Sequence, residues 1–188
     1  NRGIQIDIPF FESLKDNSKN HLIELTKSIF KLSGQEFNIN SPKQLGEILF
    51  DTLKLTASKK TKTGYSTNES VLLKIQDEHE VVHKILEYRE AFKLQSTYIQ
   101  PLLELGKKNE EKKIYTSFLQ TGTATGRLSS RNPNLQNIPV RTEAGRAIRK
   151  GFIASPGYKL VGIDYSQIEL RLLAHYSKDP ALLEAFLN

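Results

Sequence analysis

The sequence predicts an α+β protein in two parts, helices first and strands later. Three observations carry this. Through the first two-thirds of the chain, apolar residues recur at spacings of three and four, as one buried helix face requires. β-branched and aromatic runs without that spacing begin at Ile114. Beyond Gly122 the chain turns rich in Gly, Pro, Asn and Ser, the residues of turns.

The first helix is expected over residues 10–32, on Phe11, Leu14, Leu22, Leu25, Ile29 and Leu32, with Gly34 as its stop. Ser41-Pro42-Lys43-Gln44 supplies an N-cap, a proline at the first helical position and a Gln at the capping-box position. Leu45, Ile48, Leu49 and Leu53 form the buried stripe behind it. Thr56 to Ser66 is polar and cationic with no apolar periodicity, which predicts a mobile loop without an apolar anchor. Ser66 and Glu69 have capping-box spacing.

A long helix is expected over 79–98, with Val82, Ile85, Leu86, Arg89, Phe92 and Lys93 at helical spacing, and Pro101 should kink or end it. Gly106 to Lys113 reads as a charged turn, Ile114 to Thr121 as a strand and Gly122 to Pro139 as loop. A short helix at 143–150 and strands at 152–154 and 158–164 follow. Ser166, with Glu169 three residues on, should cap the next helix, and Asp179-Pro180 the last.

Composition bounds the function. The chain has 188 residues, 38% hydrophobic and 26% charged, the balance of a folded domain rather than a disordered one. No apolar run approaches the roughly 18 residues of a membrane span. The N-terminus lacks the basic-then-apolar plan of a signal peptide. Met is absent, so the chain is expected to be a piece of a longer protein. Cys is absent too, which excludes disulfide frameworks, thiolate zinc sites and thiol nucleophiles.

The formal net charge is +6, and its placement says more than its size. Residues 121–150 hold Arg127, Arg131, Arg141, Arg146, Arg149 and Lys150 against Glu143 alone. A one-signed, Arg-rich stretch suits a polyanion, because guanidinium groups match phosphate geometry; a basic surface kept for solubility is the other reading.

Four constellations could carry chemistry. Asp164 ends the apolar run Leu160-Val161-Gly162-Ile163, where a carboxylate needs a cation or donors. Magnesium suits it; so does an N-terminal helix cap. Thr121 to Arg131 concentrates hydroxyls, glycines and two Arg, without the spacing of a P-loop. Asn134, Gln136, Asn137 and Arg141 could read base or sugar edges, or simply make turns. Arg89 and Lys93 lie one turn apart and could grip a phosphate backbone, or form a solvated face. His175 sits among leucines without a nucleophile or metal partner in the sequence and reads as a packing residue.

Together these segments carry a resemblance. Asp164-Tyr165-Ser166-Gln167-Ile168-Glu169-Leu170-Arg171 resembles motif A of family A DNA polymerases, the bacterial DNA polymerase I type. Thr125-Gly126-Arg127-Leu128-Ser129-Ser130 and Asn134-Leu135-Gln136-Asn137-Ile138-Pro139 resemble the segment before it, in the same order. Thr116-Ser117, Arg146 and Phe152-Ile153-Ala154 also fit. Upstream, Gly3-Ile4-x-Ile6-Asp7, Phe37-Asn38, Lys43-Gln44-Leu45, Gly64-Tyr65-Ser66-Thr67 and Leu86-x-Tyr88-Arg89 are similar to that family's thumb.

The resemblance implies a helical thumb over 1–110, then the first part of a palm with an antiparallel sheet over 111–188. It implies DNA-directed addition of deoxynucleotides to a primer 3′-hydroxyl, with two Mg2+ ions. Asp164 would be catalytic and would hold metal, helped by the Tyr165 carbonyl. Ser166, Gln167, Ile168 and Glu169 would line the nucleotide site, with Glu169 beneath the sugar, excluding the 2′-hydroxyl that marks RNA precursors. Arg127, Asn134, Gln136, Asn137 and Arg141 would meet template–primer DNA, and Arg89 and Lys93 the duplex backbone.

The expected partners are template–primer DNA and deoxynucleoside triphosphates, with no membrane and no obligate protein partner. The expected location is the cytoplasm of a bacterial-type cell, with phage or organellar origin open. The family's second catalytic aspartate and its fingers helix would lie downstream of this segment, so the 188 residues alone are expected to be inactive. The alternative is a non-catalytic duplex-binding module of the same architecture. Glu169 argues against an RNA polymerase of related fold.

Overall fold

The computed structural model describes residues 2–56, 60–61 and 64–187. The chain divides into two compact units, residues 1–155 and 156–188.

In the first unit, strand β1 (Ile4–Ile6) is the centre of a three-stranded antiparallel sheet with β4 (Lys113–Ile114) and β7 (Phe152–Ile153). Ile4 pairs with Ile114, and Gln5 with Ile153. Helix α1 (Ile8–Ser33) starts where the Asp7 carboxylate accepts from the Phe10 amide at 3.0 Å, with Pro9 in the first turn. It stops at Gly34, whose φ of 75° is the left-handed closure that glycine adopts without penalty. The periodicity placed this helix within two residues at its start and one at its end.

Ser41 caps α2 (Pro42–Gly46), its hydroxyl accepting from the Gln44 amide at 3.4 Å. The reciprocal capping-box bond does not form: Gln44 Oε1 accepts from the Asn38 amide at 2.7 Å instead. The helical path continues through a π-helical turn, Glu47–Thr52, that buries Ile48, Leu49 and Phe50.

The expected loop over 56–66 contains a small ladder, β2 (Lys60–Thr61) against β3 (Gly64–Tyr65); residues 57–59 and 62–63 lie outside the described residues. The expectation of no apolar anchor is corrected by Tyr65. Its ring lies 4.8 Å from that of Phe50, and its hydroxyl donates to Asp51 Oδ1 at 2.9 Å. Ser66 does not cap the next helix. Asn68 stands closer to the start of α3 (Glu69–Leu72) and accepts from the Val71 amide at 3.0 Å.

Helix α4 (Glu80–Leu94) begins at His79, whose Nδ1 accepts from the Val81 amide. Pro101 does not end the helical path. A π-helical turn, Gln95–Ile99, lies between α4 and α5 (Gln100–Lys107). Pro101 thus falls in the first turn of α5, where its missing N–H costs little.

The single strand expected over 114–121 is two, β4 and β5 (Ser117–Leu119). The loop expected over 122–139 contains β6 (Ser129–Arg131), which pairs antiparallel with β5. Helix α6 (Glu143–Lys150) forms as expected, capped by Thr142.

Two cores support this unit. One gathers Leu25, Ile29, Leu45, Leu49, Leu72 and Ile85, where α1 and α4 meet the short helices. The other gathers Ile6, Phe11, Leu94, Leu102, Ile114 and Ile148 beneath the sheet. Each such side chain contributes about 1.5–3 kcal/mol on full burial.

In the second unit, α7 (Ile168–Ser177) and α8 (Pro180–Leu187) bury Ala174. Arg171 lies 4.7 Å from the centre of the Phe186 ring. Asp179 caps α8, accepting from the Leu182 amide at 2.9 Å. The strand expected over 158–164 is absent: a strand needs a paired neighbour, and none of the described residues pairs with this segment. Nor does Ser166 cap α7. Gln167 occupies the cap position in a left-handed conformation, φ 53°, and Arg171 Nε donates back to the Ser166 carbonyl at 3.0 Å.

Candidate nucleic-acid interface

Arg89 and Lys93 lie on α4 but in different states. Arg89 is half-buried, and its two terminal nitrogens donate to the Thr67 carbonyl and, at 3.3 Å, to the Thr67 hydroxyl. Burial pushes its pKa down from the ordinary arginine value, while the Glu69 charge opposes that shift. The guanidinium thus ties α4 to the segment leading into α3. Lys93 is exposed and makes no hydrogen bond or ion pair among the described residues.

Residues 127–141 form a strip shaped by buried hydroxyls. Thr116, 7% exposed, donates to the Pro133 carbonyl at 2.6 Å. Ser130, 4% exposed, donates to Asn134 Oδ1 at 3.1 Å, and its oxygen accepts from the amides of Leu135 at 3.1 Å and Gln136 at 3.3 Å. Asn134 Oδ1 also accepts from the Gln136 amide, and Gln136 Nε2 donates to the Leu128 carbonyl. Two of the three amides expected to read a ligand are therefore partly committed to holding their own loop.

The third is not. The Asn137 side chain is exposed and makes no hydrogen bond among the described residues. Its backbone carbonyl is held, accepting from the Tyr98 hydroxyl at 2.6 Å. The next carbonyl, of Ile138, accepts from Arg149 at 3.1 Å. Gly145 comes so near that a Cβ there would lie 2.6 Å from the Pro139 oxygen.

Arg127 and Arg141 are exposed at the two ends of the strip. The Arg141 carbonyl accepts from Arg146 at 2.8 Å, and its own guanidinium makes no ion pair among the described residues. The strip therefore presents cations and the unengaged Asn137 amide on a backbone fixed from several sides. That is a surface suited to phosphates and groove edges.

In the second unit Asp164, Tyr165, Ser166, Gln167, Ile168 and Glu169 are all exposed. Gln167 and Ile168 open α7, and Glu169 lies in its first turn, where the helix dipole favours an anion. Asp164 and the Tyr165 carbonyl are hard oxygen donors of the type magnesium takes. Among the described residues no cluster of three or more His, Asp or Glu could hold a metal.

The sequence marks no role for Tyr98, and marks Arg149 only as one of the cations suited to a polyanion, whereas it is tied to the Ile138 carbonyl. Their links to the strip are long-range, and no local pattern marks them. Ser130 and Thr116 stood within recognised segments, but nothing in the sequence identified their hydroxyls as the loop's internal anchors.

The family model described as DNA polymerase family A matches residues 9–188. The chain is 57% identical over 188 residues to a DNA polymerase I of Helicobacter pylori strain J99, covering 100% of this chain and 20% of that protein. It is 50% identical to DNA polymerase I of Bacillus subtilis strain 168, covering 99% of this chain and 21% of that protein. The chain thus spans about a fifth of the length of the curated relatives it matches. A solved structure, the POL domain of Pol1 from M. smegmatis in complex with DNA primer-template and dNTP, matches with a TM-score of 0.85 at 41% identity. That match covers 98% of this chain and 32% of that one.

Proposed function

The chain belongs to DNA polymerase family A, and from that membership we propose that it is the DNA-holding and first catalytic segment of a DNA-directed DNA polymerase. Residues 1–110 are read as the thumb and 111–188 as the first part of the palm. The observation that carries the reading is the family match that runs from residue 9 to 188, through the Asp164–Glu169 segment.

Each group has a part that its chemistry suits. Lys93 keeps its charge at the surface for duplex phosphates, joined by whichever Arg89 N–H groups Thr67 leaves over. Arg127, Arg141 and the amides of Asn134, Gln136 and Asn137 meet the template–primer from the fixed strip. Asp164 and the Tyr165 carbonyl supply oxygen donors for magnesium, with the remaining donors coming from outside the described residues. A bound magnesium supplies positive charge against the phosphoryl oxygens during nucleotidyl transfer. Ser166, Gln167 and Ile168 line the nucleotide site. Glu169 stands beneath the sugar, where its side chain leaves no room for a 2′-hydroxyl.

For the 188 residues by themselves, a second reading is a duplex-binding module without catalysis, which the incomplete donor set favours. The test is templated primer extension with deoxynucleotides and magnesium. The full-length protein should extend the primer and the 188-residue chain should not. No extension by the full-length protein contradicts the first reading; extension by the short chain contradicts the second.

A further inference from the structure

We propose that Tyr98 is a positioning residue for DNA binding, acting through Asn137. The inference rests on the reading of the 127–141 strip as a DNA contact, and names what fixes the backbone of Asn137, the amide that its loop leaves unbonded. Tyr98 lies on the π-helical turn directly after α4, in the core beneath the sheet, and is 7% exposed. Its ring is fixed by that packing, and its hydroxyl reaches 39 residues along the chain to donate to the Asn137 carbonyl at 2.6 Å.

The adjoining residues are held separately. Ser130 takes the Leu135 and Gln136 amides, Arg149 takes the Ile138 carbonyl, and Gly145 backs Pro139. Asn137 has no side-chain bond of its own among the described residues, so the phenol's hold on its carbonyl fixes the backbone from which the amide extends. Tyr98 also follows Lys93 by five residues on the same helical path. One hydroxyl therefore links the helical path that carries the Lys93 cation to the backbone that carries the Asn137 amide.

The test is a double-mutant cycle on the 188-residue chain, read as the affinity for a fluorescent primer–template duplex at fixed salt. Tyr98→Phe removes one oxygen and keeps the ring. Asn137→Ala removes the amide but keeps the carbonyl that Tyr98 bonds. Each single change should weaken binding about fivefold, as loss of one net hydrogen bond does. Adding Tyr98→Phe to Asn137→Ala should cost nothing more.

A Tyr98→Phe effect that persists in full in the Asn137→Ala background means that the hydroxyl acts only on general stability, and overturns the inference. So does a Tyr98→Phe variant that binds as the parent does while Asn137→Ala weakens binding; the reading of the strip then stands. No binding by the parent chain, or binding indifferent to Asn137→Ala, overturns the strip reading and the inference with it.

Discussion

The Arg89 guanidinium donates to both the carbonyl and the hydroxyl of Thr67, a residue 4% exposed and 22 positions away in sequence. One turn further along α4, Lys93 has no such partner among the described residues. Two cations that look alike in the sequence therefore do different work. Arg89→Ala should destabilise the chain by about 1.5–3 kcal/mol, because a buried carbonyl loses its charged donor. Lys93→Ala should change stability by less than about 0.5 kcal/mol, yet lower the salt slope of duplex binding by about one unit. Urea unfolding and binding titrations against salt separate the two. Equal stability losses, or an unchanged slope for Lys93→Ala, would contradict the assignment.

Gly145 is a packing requirement rather than a hinge. A Cβ there would meet the Pro139 oxygen at 2.6 Å and Pro139 Cβ at 2.7 Å. Neither is the free end of a flexible side chain, so relief requires moving the strip or α6. Gly145→Ala should cost about 1–3 kcal/mol. Gly162→Ala is the control, since nothing lies within 4 Å of the added atom. Thermal unfolding of the two variants should separate them clearly; an unmoved midpoint for Gly145→Ala would show that the strip can shift freely.

How much of this was legible follows from where each signal resides. Helices α1, α4, α6 and α8 carry their own periodicity and caps, so the sequence located them. The β5–β6 hairpin does not. Ser129–Arg131 reads as loop, and its pairing depends on Thr116 and Ser130, which are buried only once the chain has folded. The 158–164 segment shows the converse: apolar residues favour a strand, but pairing belongs to two segments and not to one. Ser66 and Ser166 qualify as caps by spacing alone, but Asn68 and Gln167 occupy those positions. The candidate site residues are marked in the sequence by resemblance to a family. The Arg89–Thr67 and Tyr98–Asn137 bonds were not, because each joins residues that only tertiary folding brings together.

Tyr115 donates to Glu111 Oε2 at 2.6 Å, and the pair makes a local titration marker. The hydrogen bond to Glu111, with smaller parts from burial and the Glu111 charge, raises the Tyr115 pKa above the ordinary tyrosine value. The same bond, with Lys113, lowers the Glu111 pKa. The Tyr115 contribution to stability is therefore present below the unfolded tyrosine pKa and lost as pH rises through the raised folded value. The Glu111 contribution is present above the unfolded carboxylate pKa and lost as pH falls through the lowered folded value. Phenolate absorbance, taken as the difference between the chain and its Tyr115→Phe variant, should show late ionisation that Glu111→Gln moves back down. No movement would mean that the bond is not kept in solution.

Glu169→Ala should alter sugar choice more than it alters binding of the duplex. If the side chain closes the space beneath the sugar, shortening it removes a built-in clash, and ribonucleotide use should rise relative to deoxyribonucleotide use even as overall rate falls. The measurement is the ratio of kcat/KM for the two sugars on one template, using the full-length protein. An unmoved ratio with the fold intact would leave Glu169 as the favourable first-turn anion of α7 and nothing more.

We propose that Asp164 acts on the reaction and not on the grip. Exposed in the second unit, it makes no hydrogen bond or ion pair among the described residues whose loss would unfold the chain. The direct test is Asp164→Ala in the full-length protein, with primer extension and primer–template affinity measured on the same preparation. A carboxylate that serves charge developing in the transition state should leave affinity within about twofold while incorporation falls to the no-enzyme baseline. Incorporation that survives the substitution, or affinity lost in step with it, would contradict the account.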